Sequence, residues 1–92
     1  MKRDDKPRAD ALVFFGATGD LAYKKIFPAL QAMAHRGRLD FPVIGVAKSD
    51  WGLPQLVDRA KASVTEFGGY DEGAFKTLVE HLKYVEIGRA HV

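Results

Sequence analysis

Two glycines three apart, Gly16 and Gly19, are the residues of this 92-residue chain whose type and spacing point most directly to chemistry. They interrupt the apolar run Val13-Phe14-Phe15 and stand just before Asp20, Leu21 and Ala22, where helical spacing begins. A continuous apolar run is the pattern of a strand buried on both faces. A strand that passes through a glycine turn into a helix is the layout that receives a dinucleotide pyrophosphate. The helix N-terminus offers unpaired N–H groups and a partial positive charge, and glycine lets a phosphate approach the main chain.

The spacing is Gly16-x-x-Gly19-x-x-Ala22 rather than the commoner G-x-G-x-x-G. Ala22 serves in the third place, because a methyl group still permits close helix–strand packing. A glycine pair alone also fits a plain strand-to-helix turn. No Gly-Lys-Ser/Thr follows the loop, which excludes a Walker-type triphosphate site. Gly16 and Gly19 are therefore the expected cofactor-loop residues, with Thr18, Asp20 and Leu21 beside them. The Thr18 hydroxyl either faces the phosphates or bonds its own main chain as a turn residue. Asp20 would repel a phosphate, so its expected role is to cap the helix or brace the loop.

A second group lies further on. NAD-binding Rossmann domains end the second strand on an acid that bonds the ribose hydroxyls. Here that place holds Ala47-Lys48-Ser49. A cation and a hydroxyl suit the adenosine 2′-phosphate of NADP, which an acid would repel; an ordinary solvated lysine is the alternative. Lys24 and Lys25 read, on composition alone, as a solvated helix face. The three histidines, His35, His81 and His91, have no metal-ligand spacing, and no His is placed with an Asp as a dyad. Neither a metal site nor a catalytic base is assigned.

The elements that must position these residues follow from periodicity and punctuation. Residues 1–10 are polar with alternating charge, a flexible lead with nothing to bury. The first strand is expected over Ala11–Phe15. A helix begins near Asp20 and turns Ala22, Ile26, Ala29, Leu30 and Met33 toward the sheet, with a kink or short break at Pro28 and Gly37 closing it. Phe41–Ala47 reads as a second, β-branched strand. A second helix starts about Pro54 and shows the stripe Leu53, Leu56, Val57, Ala60, Val64 and Phe67. Gly68 and Gly69 end it. A third helix, Asp71–Leu82, takes Asp71 as its N-cap, and Lys83–Ile87 opens a third strand. The expectation is the first half of a doubly wound α/β Rossmann-like domain over residues 11–85, a parallel sheet in the order 3-2-1 with right-handed crossovers.

Composition bounds the rest. The chain is 47% hydrophobic and 28% charged, with a net charge of +2 and scattered basic residues, which does not suggest a nucleic-acid partner. No apolar run approaches the roughly 20 residues of a membrane helix, and the start has no signal-peptide pattern. The absence of cysteine fits a cytoplasmic chain.

The string Gly-Ala-Thr-Gly-Asp-Leu-Ala-x-Lys-Lys-Ile-x-Pro-x-Leu, from Gly16 to Leu30, closely resembles the start of the glucose-6-phosphate dehydrogenase family, and the likeness continues more loosely to about Val85. The resemblance implies an NADP-dependent oxidoreductase of the pentose phosphate pathway, acting on glucose 6-phosphate as a homo-oligomer. NAD is also expected to be used to some degree. It further implies that Lys25, the second lysine of the Lys-Lys pair, faces the junction of coenzyme and sugar phosphate. Tyr23 stands where many members have lysine, a departure expected to be harmless on an exposed position. Lys48 stands where the family often has arginine before serine. The family is several times longer, and its catalytic histidine lies in a motif absent here, so this chain by itself is expected to be inactive.

Two other readings stay open. Gly-Ala-Thr-Gly also begins the loop of extended short-chain dehydrogenases and epimerases, although Ala22 and the Lys-Lys-x-x-Pro sequel speak against it. A non-catalytic dinucleotide-sensing module would use the same half-fold. Residues 86–92 are expected to be a non-native tail: Glu-Ile-Gly-Arg-Ala-His-Val resembles the translation of a common sequencing adapter, the ordinary alternative being a strand followed by a loop. Genomic sequence encoding the same seven residues across this junction would contradict that.

Overall fold

A computed structural model of the chain describes residues 11–48 and 50–87. Three parallel strands, β1 (Leu12–Phe15), β2 (Val43–Ala47) and β3 (Leu82–Glu86), form one sheet with β2 in the middle. Leu12 pairs with Val43, and Gly45 pairs with Tyr84. The connections are helical: α1 (Phe27–His35) joins β1 to β2, and α2 (Leu53–Glu66) and α3 (Glu72–His81) join β2 to β3. This is the expected α/β half-fold with its strand order 3-2-1, and each strand lies within two residues of its expected place. The expected lead, 1–10, lies outside the described residues. Glu86 ends β3, and the Ile87 N–H donates to the Ala47 carbonyl at 2.9 Å.

The pleat decides which face is covered. Phe14, Val43, Ala47 and Leu82 share one face of the sheet and belong to the core with Phe27, Leu30, Leu56, Ala60, Val64, Phe75 and Leu78 of the helices. The other face carries Val13, Phe15 and Val85, all exposed among the described residues. Phe14 meets Phe27 edge to face, with ring centroids 5.8 Å apart.

The first helix departs from expectation in its register. Asp20 and Leu21 begin it, and Ala22–Ile26 form a π turn before α1. Pro28 explains the wider turn. Its ring would press on the carbonyl four residues back, and it has no N–H to donate. The Phe27 N–H accordingly donates to the Ala22 carbonyl, five residues back. That extra residue rotates the following face, so Phe27 is fully buried and Ala29, expected against the sheet, is exposed. The helix closes as expected on Gly37, at φ 73°. The Gly37 N–H bonds the Ala34 carbonyl and the Arg38 N–H bonds the Met33 carbonyl, the paired bonds of a Schellman cap.

The π turn leaves the Tyr23 carbonyl without a main-chain partner. In α register it would take the Phe27 N–H, which is used elsewhere, and in π register it would meet Pro28, which has none. Ser63 of α2, fully buried, donates its hydroxyl to that carbonyl. Ser63→Ala should therefore strand an acceptor and lower stability by about 1–3 kcal/mol. Urea unfolding checks this, and an unchanged midpoint would contradict it.

Candidate functional site

The glycine turn sits at the carboxyl end of β1. Gly16 has φ 74°, the left-handed region that glycine enters freely. A Cβ built on it meets nothing within 4 Å, so packing does not demand glycine there; the backbone angle does, and it leaves the main chain open to an approaching ligand. The turn is closed by the Gly19 N–H donating to the Gly16 carbonyl at 2.9 Å, and tied to β2 by the Ala17 N–H donating to the Val46 carbonyl at 3.1 Å. Ala17 and Ala22 are both buried. Ala22 thus packs closely in the third position of the glycine pattern, as its methyl allows.

An open cleft of about 360 Å³ lies over the carboxyl ends of β1 and β2, lined by Phe15, Gly16, Thr18, Gly19, Val46, Ala47, Lys48 and Ile87. Open α/β sheets bind ligands in this place. Gly16, Thr18, Gly19 and Lys48 are thereby brought together from two separate stretches of sequence. Three expected residues are outside that lining. Leu21 is exposed on the first helical turn, Lys25 is exposed on the π turn, and Asp20 is exposed at the helix start. Ser49 lies outside the described residues. Among the described residues no group of three His, Asp or Glu side chains is placed to hold a metal, and no helix is long and apolar enough to cross a membrane.

Behind the turn stands a polar group that the sequence pattern did not single out. Arg59 of α2 places its guanidinium 4.6 Å from the centre of the Tyr23 ring and donates to the Gly19 carbonyl at 3.4 Å. The Tyr23 hydroxyl donates to Glu66 Oε1 at 2.7 Å, and its ring meets Phe67 edge-on. That hydrogen bond to a carboxylate, aided by burial, raises the Tyr23 pKa above its ordinary value of 10.0. Tyr23 is therefore half-buried and partnered rather than a free surface position. The signal was present in the spacing: Arg59 and Ser63 fall three and seven residues after Leu56, on the stripe that packs inward.

A second hollow, about 320 Å³, lies between the ends of α1 and α2 and the start of α3. Its walls include a pair that the sequence reading denied: His35 Nδ1 lies 2.7 Å from Asp71 Oδ2. The two residues come from different helices, so no local spacing betrays them. Gln31 completes the tie, donating to the Gly69 carbonyl and accepting from the Asp71 N–H. Asp71 caps α3 by accepting from the Ala74 N–H at 3.2 Å. That bond first, and then His35, hold its carboxyl below the ordinary value of 3.8. A depressed carboxylate pKa stabilises the fold above the unfolded value, and the contribution is lost as pH falls through the folded one. Thermal midpoints of the native chain should thus drop in acid below about pH 4 more steeply than those of Asp71→Ala. Parallel curves would contradict the assignment.

Comparison with known proteins bears on the same stretch. Residues 13–91 match the family model described as glucose-6-phosphate dehydrogenase, NAD binding domain. Glucose-6-phosphate 1-dehydrogenase 1 of Mycobacterium tuberculosis is 40% identical over 77 residues, which is 84% of this chain and 16% of that protein. A crystal structure of glucose-6-phosphate 1-dehydrogenase from Mycobacterium avium superposes with a TM-score of 0.82 at 42% identity, over 86% of this chain and 18% of that one. A glucose-6-phosphate dehydrogenase in complex with its substrate glucose 6-phosphate gives a TM-score of 0.71 at 29% identity, over 83% and 16%. The chain thus spans about one sixth of the length of the curated relatives it matches. With the glycine turn, its supporting half-sheet and the family model covering one and the same stretch, this chain belongs to the glucose-6-phosphate dehydrogenase family and corresponds to part of its N-terminal, NAD-binding domain.

Proposed function

We propose that this chain holds the NADP of a glucose-6-phosphate dehydrogenase, the enzyme that oxidises glucose 6-phosphate to the 1,5-lactone. One observation carries the proposal: the Gly16–Gly19 turn opens onto a cleft whose far wall ends in Lys48 rather than an acid. The residues present fit a dinucleotide. Gly16 leaves its main chain uncovered, the cleft volume lies in the range of ligand pockets, and the first helical turn supplies N–H donors for a pyrophosphate. The bound nicotinamide would supply the hydride acceptor.

The chain's own contribution is binding and orientation. Gly16 and Gly19, with Thr18 between them, would seat the pyrophosphate, while Asp20 and Leu21 begin the helix whose dipole faces it. Lys48, exposed at the end of β2, would meet the 2′-phosphate, with Ser49 adding a hydroxyl. Lys25 would offer a point charge to the sugar phosphate, whose catalytic base comes from chain outside this stretch. The same reading makes the complete enzyme a cytoplasmic homo-oligomer.

The test is an assay of a complete dehydrogenase carrying this chain as its coenzyme-binding segment, with NADP and NAD compared. Lactone formation coupled to NADPH is expected. Turnover of an unrelated alcohol or nucleotide sugar, with none of glucose 6-phosphate, would overturn the proposal.

A further inference from the structure

We infer that Arg59 is a positioning residue for the dinucleotide loop: from α2 it fixes the Gly19–Asp20 peptide so that the Asp20 N–H faces the pyrophosphate. The inference rests on the coenzyme reading above and goes beyond it, because Arg59 is remote in sequence and outside the lining of the cleft.

The Gly19 carbonyl accepts the Tyr23 N–H at 3.2 Å, so it points along the helix and away from the helix start. Arg59 Nη2 reaches the same carbonyl at 3.4 Å and therefore stands behind the loop. A trans peptide is planar, with its N–H opposed to its C=O. Holding the Gly19 carbonyl from behind thus aims the Asp20 N–H outward, where an anion would sit at the helix N-terminus. A cation on the carbonyl also polarises the peptide and strengthens that N–H as a donor.

Charge gives Arg59 a second task. The Asp20 carboxylate beside the loop would repel a phosphate, and Arg59 Nη2 lies 4.0 Å from its Oδ1. The guanidinium is not free to wander. Its side chain is only 27% exposed, its Cζ lies over the Tyr23 ring, and among the described residues its enclosed Nε has no hydrogen-bond partner. Lysine could not replace it fully, since an ammonium lacks the planar guanidinium whose Cζ lies over the ring while Nη2 reaches the carbonyl.

The test measures dissociation constants of NADP, NAD and 2′-AMP in the complete dehydrogenase, for wild type and Arg59→Ala. The pyrophosphate is common to both dinucleotides and absent from 2′-AMP. Arg59→Ala should weaken NADP and NAD equally, by about tenfold, the worth of one contact to a charged group, and leave 2′-AMP unchanged. Where that variant does not fold, as judged by circular dichroism, Arg59→Lys takes its place. It should weaken both dinucleotides equally by about threefold, losing the planar guanidinium while keeping the charge. Unchanged dinucleotide affinity, loss of NADP alone, or an equal loss of 2′-AMP would overturn the role of Arg59. Wild type that binds neither dinucleotide would overturn the coenzyme reading itself.

Discussion

Replacing Lys48 by alanine is expected to weaken NADP by roughly ten- to a hundredfold and to leave NAD almost untouched. Lys48 closes the far wall of the cleft, at the carboxyl end of β2, where an acid would serve NAD. A hydrogen bond to a charged group contributes about 1.5–3 kcal/mol, and about 1.4 kcal/mol is tenfold in affinity. The loss falls on NADP alone because only NADP carries the 2′-phosphate. Lys48→Glu should go further, repelling that phosphate and turning preference toward NAD. Since one ammonium grips phosphate less specifically than an arginine fork, Lys48→Arg should sharpen the preference for NADP. Equilibrium titration of each variant with both coenzymes checks this. Equal losses for NADP and NAD would make Lys48 structural and the assignment wrong.

The second large effect concerns a residue that touches no ligand. Gly45 lies at the middle of β2, paired with Phe14 on one side and Tyr84 on the other. A Cβ there would stand 2.9 Å from the Ala17 Cβ, 3.2 Å from Phe14 Cζ and 3.3 Å from Leu56 Cδ2. The Ala17 methyl is one bond from the main chain and cannot swing aside. Gly45→Ala should therefore overpack the core and cost about 1–3 kcal/mol, with Gly45→Val at or beyond the upper figure. Ala17 is also part of the glycine turn, tied through its N–H to the Val46 carbonyl. Displacing it moves Gly16 and Gly19, so coenzyme affinity should fall together with stability. Denaturant unfolding and coenzyme titration of Gly45→Ala read both; an unchanged unfolding midpoint would mean that the turn does not rest on Gly45.

Gly45 also shows how legible the chain was. Its strand was plain from Val43, Ile44 and Val46, but its task depends on Ala17, 28 residues earlier, and no local pattern records that meeting. The strands, the α2 stripe from Leu56 onward, the Gly37 cap and the Asp71 cap were readable because each is decided by neighbours in sequence; Leu53, expected on that stripe, is exposed at the first turn of α2. Pro28 announced a disturbance. What it could not announce was the π turn upstream, which carried Phe27 inward and Ala29 outward. That the glycine loop and Lys48 stand at the strand ends was readable, because strand ends and helix starts are marked by residue type. The inward spacing of Arg59 and Ser63 was there to read, but their partners, like those of Gln31 and the His35–Asp71 pair, were not, since each acts through a residue on another element. Tyr23 belongs with them: a substitution that looked inert on an exposed helix supplies the ring under Arg59 and the bond to Glu66.

Hydrogen–deuterium exchange of the complete dehydrogenase, with and without saturating NADP, tests the central claim most directly. On the proposed reading, bound pyrophosphate takes the N–H groups of the glycine turn and first helical turn, and the 2′-phosphate shelters the end of β2. The expected result is slowed exchange in peptides spanning Gly16–Ala22 and in those containing Lys48, the latter less with NAD than with NADP. Protection elsewhere in the molecule, with Gly16–Ala22 exchanging as fast as in the free enzyme, would contradict it.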